Sequence, residues 1–185
     1  MALLTFGTDQ QLNYEQYTGR TNRPWLVFPH EGLGSITQWR DYPQQLCQRT
    51  GCPGLVYDRI GYGLSAQLAR SRTIHYLHEY ALHELPFVLD AVLPGQNFIL
   101  IGHSDGGSIS LLFSAERWPR LLGTITVSAH VFVESVSVAG VEQAKQSFVR
   151  GELKRGLAKH HGDKTESMFW AWADTWTSPW FRSWN

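Results

Sequence analysis

The sequence is poor in cysteine, in long apolar runs and in unbalanced charge. Only Cys47 and Cys52 occur among the 185 residues, too few for a disulfide framework and without the spacing partners of a metal site. Sixteen basic and sixteen acidic residues cancel, and no Lys/Arg run is long enough to follow a phosphate backbone. We therefore expect reduced thiols, no metal or organic cofactor, and no nucleic-acid partner.

The N-terminus also lacks the features of a targeting segment. MALLTFGTDQQL has no basic leader and only a few consecutive apolar residues, too few for a signal peptide or a membrane span. No longer apolar run follows it. These absences predict a cytoplasmic protein that does not bind membranes, with a small molecule or another protein as its expected partner.

Short apolar runs that end in turn residues alternate with segments of helical period. LLTF and QLNYEQY, on either side of Gly7-Thr8-Asp9, predict an N-terminal β-hairpin. Further strands are predicted at PWLVFPH (24–30), GLVYDR (54–59), QNFILIGHS (96–104) and LLGTITVSA (121–129). Helices are predicted in the segment that ends at Gly51, from about Thr73 to Leu93, and from Asp105 to Arg117. The second of these is expected to kink at Pro86 and to place Val92 on its buried face. The alternation predicts a three-layer α/β fold with a mostly parallel sheet.

The pattern changes near Ser135. From there the chain is amphipathic and charged, and its last sixteen residues contain five tryptophans. We predict a core over residues 1–134 and a mostly helical cap over 135–185, with no strand. The tryptophans are expected mainly to pack this segment on the core, with one or two facing substrate. The adjacent His160 and His161 are interpreted as a solvent-exposed pair.

The stretch FILIGHSDGGS places Ser104 between an apolar strand and a helix. G-x-S-x-G is a weak signal alone, but strand, turn and helix together are the setting that a nucleophile elbow needs. Gly102, Gly106 and Gly107 allow the helix to approach the strand, while the serine takes a strained backbone conformation. The pattern predicts an exposed Ser104 hydroxyl, with the amide of Asp105 in the first helical turn as an oxyanion donor.

A second donor is expected from the loop HEGLGS, which follows the strand PWLVFPH. We favour the amide of Gly32, with Glu31 as the alternative. His30 is interpreted as a brace for this loop. Both glycine-rich turns follow predicted strands, at the sheet edge where α/β proteins bind ligands.

Three motifs together resemble the α/β-hydrolase superfamily, in the branch of serine hydrolases with a helical cap. They are Gly102–Gly107, the loop His30–Ser35, and DRIGYGLS at Asp58–Ser65, which is similar to the D-x-x-G-x-G-x-S loop of such enzymes. The resemblance implies that Ser104 is the nucleophile and that Gly32 and Asp105 form the oxyanion hole. It also implies hydrolysis of an ester, thioester, amide or C–C bond, and the tryptophan-rich segment predicts a substrate with an apolar or aromatic moiety.

The base and acid that the resemblance implies are not found at their usual place. Such hydrolases supply them in the order serine, acid, histidine, with the histidine after the last strand. Here no late strand or late histidine is present, so we expect the last strands to be missing and the unpaired sheet edge to promote self-association. His130 with Glu134 is the least unsuitable candidate base and acid, but a pocket-lining role suits His130 better, so the base and acid are not identified from the sequence. The alternative function is a non-catalytic ligand-binding or interaction module, or an inactive fragment of a longer hydrolase.

Overall fold

A six-stranded, mostly parallel sheet runs through the computed structural model, which describes residues 2–185. The strands are β1 (Ala2–Phe6), β2 (Gln10–Tyr17), β3 (Trp25–Phe28), β4 (Gly54–Tyr57), β5 (Phe98–His103) and β6 (Leu121–Val127). Their order is β1-β2-β4-β3-β5-β6, in which β3 to β6 are parallel and the β1–β2 hairpin joins β4 antiparallel. The sheet confirms the α/β fold class and the predicted hairpin.

Helices cover both faces of the central strands, because the side chains of one strand alternate between two apolar cores. Leu26 and Phe28 of β3 pack with Cys47 of α1 (Tyr42–Thr50) on one face. Val27 packs into the larger core on the other face, beneath α4 (Asp105–Ala115) and the helical stretch 76–92. The three predicted layers are therefore present.

The predicted kink in the second helix takes the form of a π-helical turn. Residues 76–92 comprise α2 (Tyr76–Glu79), a π-turn (Tyr80–Glu84) and α3 (Leu85–Val92). Pro86, at the start of α3, has no N–H for an α-helical bond, so the ladder is rearranged just before it. The sequence predicted Val92 on the buried face, but Val92 is only half-buried and Leu89 is fully buried instead.

Residues 135–185, here called the C-terminal helical segment, contain no strand. The segment comprises α5 (Ser135–Val149), α6 (Glu152–His161), α7 (Thr165–Thr177) and 3-10 turns at Gly162–Lys164 and Pro179–Ser183. Phe148 stacks on Phe169 with ring centroids 3.8 Å apart, and Trp176 packs edge-on against Phe181. Aromatic packing therefore holds the segment together. The predicted boundary between a core and a cap at residue 134 stays a prediction. None of the helices in residues 2–185 has the length and apolar character to cross a membrane.

One carboxyl group lies in the core without full compensation. Glu84 of the π-turn is 3% exposed; its Oε2 accepts the N–H of Ile60 at 3.0 Å, and its Oε1 has no partner among residues 2–185. Burial raises the pKa of Glu84 to about 8, although this hydrogen bond and Arg59 favour the charged form. The folded protein therefore holds Glu84 neutral where an unfolded chain would ionise it.

We expect Glu84 to make folding less favourable as pH rises. Because its folded pKa exceeds the unfolded value, the folded state binds more protons between these two values, and the free energy of unfolding falls with pH by up to about 1.4 kcal/mol per unit. Glu84→Gln should flatten that slope. Urea titrations of both chains at pH 6.5 and 8.0 measure the slope, and the difference between the two chains isolates Glu84, because histidines that titrate near pH 6.5 when unfolded are present in both. An equally steep slope in the variant would show that another group is responsible.

The β6 edge of the sheet is open among the described strands. β6 pairs with β5 alone, and Leu122, Ile125 and Val127 of β6 are each more than half exposed. Free backbone groups beside apolar side chains form a template for pairing with another chain. Self-association through this edge stays a prediction.

We expect this chain to form concentration-dependent dimers that Ile125→Lys shifts toward monomer, because a charge on an open edge opposes pairing. Leu3→Lys is the matched control, since β1 is the opposite edge strand and Leu3 is 64% exposed. Sedimentation velocity over a range of concentrations measures both. A monomeric parent chain, or equal effects of the two variants, would contradict pairing through β6.

Candidate active site

The turn at Ser104 has the strained geometry that the motif predicts. Ser104 has φ +51° and ψ −119°, in the positive-φ region that side chains rarely occupy. Its amide donates to the carbonyl of Val127 at 2.8 Å, and its carbonyl accepts from the amide of Ser108 at 3.0 Å. These bonds fix the residue between β5, β6 and the first turn of α4.

The glycines around Ser104 are required by contact with neighbouring backbone. A Cβ added at Gly102 would collide with the carbonyl of Gly106, and one at Gly106 would collide with the carbonyl of Pro29. At Gly107, an added Cβ would lie 2.9 Å from the Cβ of Ala129. The helix therefore packs against the strands as closely as the sequence predicted.

Ser104 is half-buried at a cavity of about 220 Å³ between α4, the end of β6 and the C-terminal helical segment. Its lining consists of two indoles, one aliphatic side chain, one glycine and four polar residues, of which one is Ser104 itself. The lining residues are Ser104, Asp105, His130, Ser137, Gly140, Val141, Trp172 and Trp176. Two of the C-terminal tryptophans thus face the same space as Ser104.

The structure places both proposed oxyanion donors close to this cavity. Asp105 lines it, in the first turn of α4, where N–H groups have no partner within the helix. Gly32 is buried in the 30–35 loop against the indole of Trp172, which also lines the cavity. The alternative donor, Glu31, holds the loop through its carbonyl, which accepts from the amide of Gly34 at 3.0 Å. The roles of the Gly32 and Asp105 amides stay predictions.

Asp58 connects the motif loop at 58–65 to the 30–35 loop and the hairpin. Its Oδ1 accepts the N–H of Ile36 at 2.7 Å, and its Oδ2 accepts from Asn13 Nδ2 at 2.8 Å and from the amide of Leu64 at 2.9 Å. Gly63 has φ +47°, and a Cβ there would collide with this carboxylate. A single buried carboxylate therefore positions three segments around the site.

His30 acts as the brace that the sequence suggested. Its Nε2 accepts the amide N–H of Arg59 at 3.1 Å, while Arg59 Nη2 donates to the carbonyl of Glu31 at 2.7 Å. Burial, and then the nearby Arg59 charge, lower the pKa of His30 well below its usual value. The arginine also lies over the rings of Tyr62 and Tyr80, with Cζ 4.6 and 4.8 Å from their centroids. A neutral His30 thus supports the 30–35 loop from within the core.

The interpretation of His160 and His161 as a solvent-exposed pair was wrong. His161 is 2% exposed; its Nδ1 accepts the N–H of Gly63 at 3.0 Å and its Nε2 lies 2.9 Å from the carbonyl of Leu33. These partners require a proton on Nε2 and none on Nδ1, and burial lowers the pKa of His161. The spacing from the buried Leu157, one helical turn earlier, was the signal that could have placed His161 on the inner face.

His130 and Glu134 form an oriented histidine–carboxylate pair beside Ser104. His130 Nδ1 lies 3.1 Å from Glu134 Oε2, and its ring meets Trp176 edge-on at 5.0 Å. The backbone of His130 is fixed by Ser108, whose Oγ accepts its N–H at 2.9 Å and donates to its carbonyl at 2.7 Å. Ser108 is one helical turn after Ser104. The start of α4 therefore positions both Ser104 and His130 at the cavity.

The other features that could suggest chemistry lie apart from Ser104. A cavity of about 590 Å³ between the β1–β2 turn and the 66–84 region includes Arg72, Tyr76 and Glu84 but not Ser104. Within residues 2–185, no three His, Cys, Asp or Glu side chains cluster as metal ligands would. The Ser104 cavity is therefore where the strained Ser104 turn and His130, which is paired with Glu134, occur together.

The model of the alpha/beta hydrolase family matches residues 25–183. Among curated proteins, the 2-succinyl-6-hydroxy-2,4-cyclohexadiene-1-carboxylate synthase of Enterobacter sp. strain 638 is 30% identical over 122 residues, 64% of this chain and 43% of the relative. Its namesake from Shigella flexneri serotype 5b is 25% identical over 170 residues, 90% of this chain and 59% of the relative. The chain thus spans about half the length of these two relatives.

Solved structures support the same fold. A carboxylesterase structure from the thaumarchaeon Nitrososphaera gargenis has a TM-score of 0.71 and 19% identity, covering all of this chain and 74% of the other. A hydrolase from Pseudomonas aeruginosa has a TM-score of 0.65 and 17% identity, covering all of this chain and 73% of the other. At such identities the likeness concerns the fold alone. With the sheet, the loops and the match over residues 25–183 in agreement, the chain belongs to the alpha/beta hydrolase family.

Proposed function

We propose that this chain carries the nucleophile of a serine hydrolase that acts on a carboxylic ester or a related carbonyl substrate. The observation that carries the proposal is the strained turn at Ser104, which opens onto a cavity that His130 also lines, with Glu134 hydrogen-bonded to His130. A serine hydroxyl needs a base that is itself oriented by a third group. Ser104, His130 and Glu134 have the types required for those three roles.

In the proposed reaction, His130 accepts the Ser104 proton as Oγ bonds to the carbonyl carbon. Glu134 stabilises the imidazolium through Nδ1, and the amides of Gly32 and Asp105 donate to the oxyanion. The carbonyl then re-forms, the bond to the leaving group breaks, and the leaving group takes the proton from His130. Water, deprotonated by the same histidine, hydrolyses the acyl-serine and regenerates the hydroxyl.

The cavity lining supports a substrate with an apolar or aromatic moiety. The indoles of Trp172 and Trp176 and the side chain of Val141 supply apolar surface beside Ser104. Such surface favours ligands through burial, while a few polar groups set their orientation. We propose that the apolar part of the substrate contacts these three residues.

The curated relatives support a second candidate. Their name describes formation of a cyclohexadiene carboxylate that carries a succinyl group, and one of them aligns with 90% of this chain at 25% identity. The same nucleophile site would then serve synthesis of a ring acid rather than ester hydrolysis. Formation of that acid from its precursor, followed by absorbance, distinguishes the two activities.

Labelling by a fluorophosphonate probe tests the proposed nucleophile and base. We expect one adduct on the parent chain, none on Ser104→Ala, and labelling at least about 100-fold slower in His130→Gln, because a positioned base contributes at least that factor. Intact-mass spectrometry at neutral pH measures the rates. His103→Gln is the matched control, since His103 also lies near a carboxylate, 3.8 Å from Glu31 Oε2, but does not line the cavity.

Two results would contradict parts of this proposal. No adduct on a parent chain that is folded by circular dichroism would favour a non-catalytic ligand-binding module or an inactive fragment. An adduct that forms equally fast in His130→Gln would retain Ser104 as the nucleophile and remove His130 as its base.

A further inference from the structure

One indole N–H at the Ser104 cavity is buried without an acceptor. Trp172 of α7 lines the cavity, and its Nε1 atom is inaccessible to solvent and has no hydrogen-bond partner among residues 2–185. A buried indole N–H normally finds an acceptor, because losing its hydrogen bond to water without replacement is unfavourable. The wall of the cavity therefore holds an unused donor, which a rotation of the indole toward the cavity would expose to a ligand.

Trp176, one helical turn later, shows the ordinary arrangement. It lines the same cavity, but its Nε1 donates to Tyr76 Oη at 2.9 Å, and Tyr76 Oη donates to Asp105 Oδ2 at 2.9 Å. The two indoles share a helix, a cavity and a residue type, and they differ in whether the N–H is used internally. The free donor is thus a property of the Trp172 position.

The unused N–H lies against the 30–35 loop. A Cβ added at Gly32 would collide with Trp172 Nε1, which is the nearest atom to that position. The absence of a side chain at Gly32 therefore allows the indole nitrogen to approach the loop whose amide is the proposed oxyanion donor. An acceptor oxygen of a bound ligand in this corner would have two N–H groups nearby.

We propose that Trp172 Nε1–H donates a hydrogen bond to an acceptor oxygen of the substrate and thereby positions its carbonyl group beside Ser104. The inference deepens the proposed function, on which it rests for the identity of the carbonyl. It assigns to α7 a polar contact in addition to apolar surface. Ligands with a carbonyl or carboxyl oxygen at this point should be preferred to isosteric ligands that lack one, because the latter leave the donor unpaired.

Binding to the Ser104→Ala chain tests the inference without requiring hydrolysis. Phenyl acetate is the probe, since it is a neutral ester with an aromatic ring and stays intact when the nucleophile is absent. We expect its addition to move the Trp172 indole N–H resonance downfield in ¹H–¹⁵N spectra. Trp172→Phe assigns that resonance, and it should weaken binding of the ester by about 10-fold, as expected for loss of one hydrogen bond.

Trp184→Phe is the matched control. Trp184 is 3% exposed and its Nε1 also lacks a partner among the described residues, but it does not line the cavity. Its resonance should stay in place, and its substitution should leave the affinity for phenyl acetate within about 2-fold of the Ser104→Ala parent. This control separates a free donor at the cavity from a free donor elsewhere in the core.

The outcomes separate this inference from the proposed function. Ester binding that moves the Val141 methyl resonances but leaves the Trp172 N–H unchanged would overturn the inference, as would no binding at all. Failure of fluorophosphonate labelling in the parent chain would count against hydrolysis while leaving a shifted Trp172 resonance in support of the donor. If Trp172→Phe does not fold, nuclear Overhauser effects between the indole N–H and the Gly32 Hα protons assign the resonance, so the spectrum with Trp172 intact still decides the question.

Discussion

The close approach of α4 to the ends of β3 and β5 is the constraint on which the site depends. Ser104 can hold its positive φ because Gly102 and Gly106 let backbone meet backbone, and Gly106 contacts the carbonyls of both Pro29 and His30. The same contact therefore fixes the turn that carries the serine and the start of the 30–35 loop. A methyl group at Gly106 would separate two elements that supply different groups to one cavity, so the glycine is required by the site as much as by the helix.

Buried polar groups then fix the loops that the apolar core leaves free. Asp58 accepts three hydrogen bonds from three segments, and His30 and Arg59 hold the 30–35 loop from inside. Burying such groups is unfavourable unless they find partners, so losing these hydrogen bonds would destabilise the positions of the loops. His161 extends it to the C-terminal helical segment by bonding Gly63 and Leu33 together. The position of that segment over the cavity is thereby tied to the loops beneath it.

The sequence was sufficient to predict the elements and the turn at Ser104, because these follow from local periodicity and from glycine at fixed offsets. It did not reveal the strand order, which places β2 beside β4 and β3 beside β5, since sequential distance does not determine pairing. The position of His130 just after the strand at 121–129 predicted that it lines the pocket at Ser104, as it does. Its hydrogen bond with Glu134 agrees with their i, i+4 spacing. No sequence pattern distinguishes Trp172 from Trp176. The difference is that tertiary packing places the acceptor Tyr76 Oη beside the N–H of Trp176.

The site divides its tasks between two parts of the chain. The strands and α4 supply the proposed nucleophile and its strained turn, whereas α7 supplies the indoles that face it. Changes in α7 can therefore alter which ligand fits without disturbing the backbone at Ser104, because Gly102 and Gly106 depend on contacts within the core. Two hydrogen bonds link the parts, from Trp176 to Tyr76 and from Tyr76 to Asp105. Through them, the helix whose indoles face the cavity also contacts the first turn of α4, next to Ser104. Substrate fit and the proposed oxyanion contact of Asp105 would then respond together to a shift of α7, while the backbone of Ser104 stays fixed by its bond to β6.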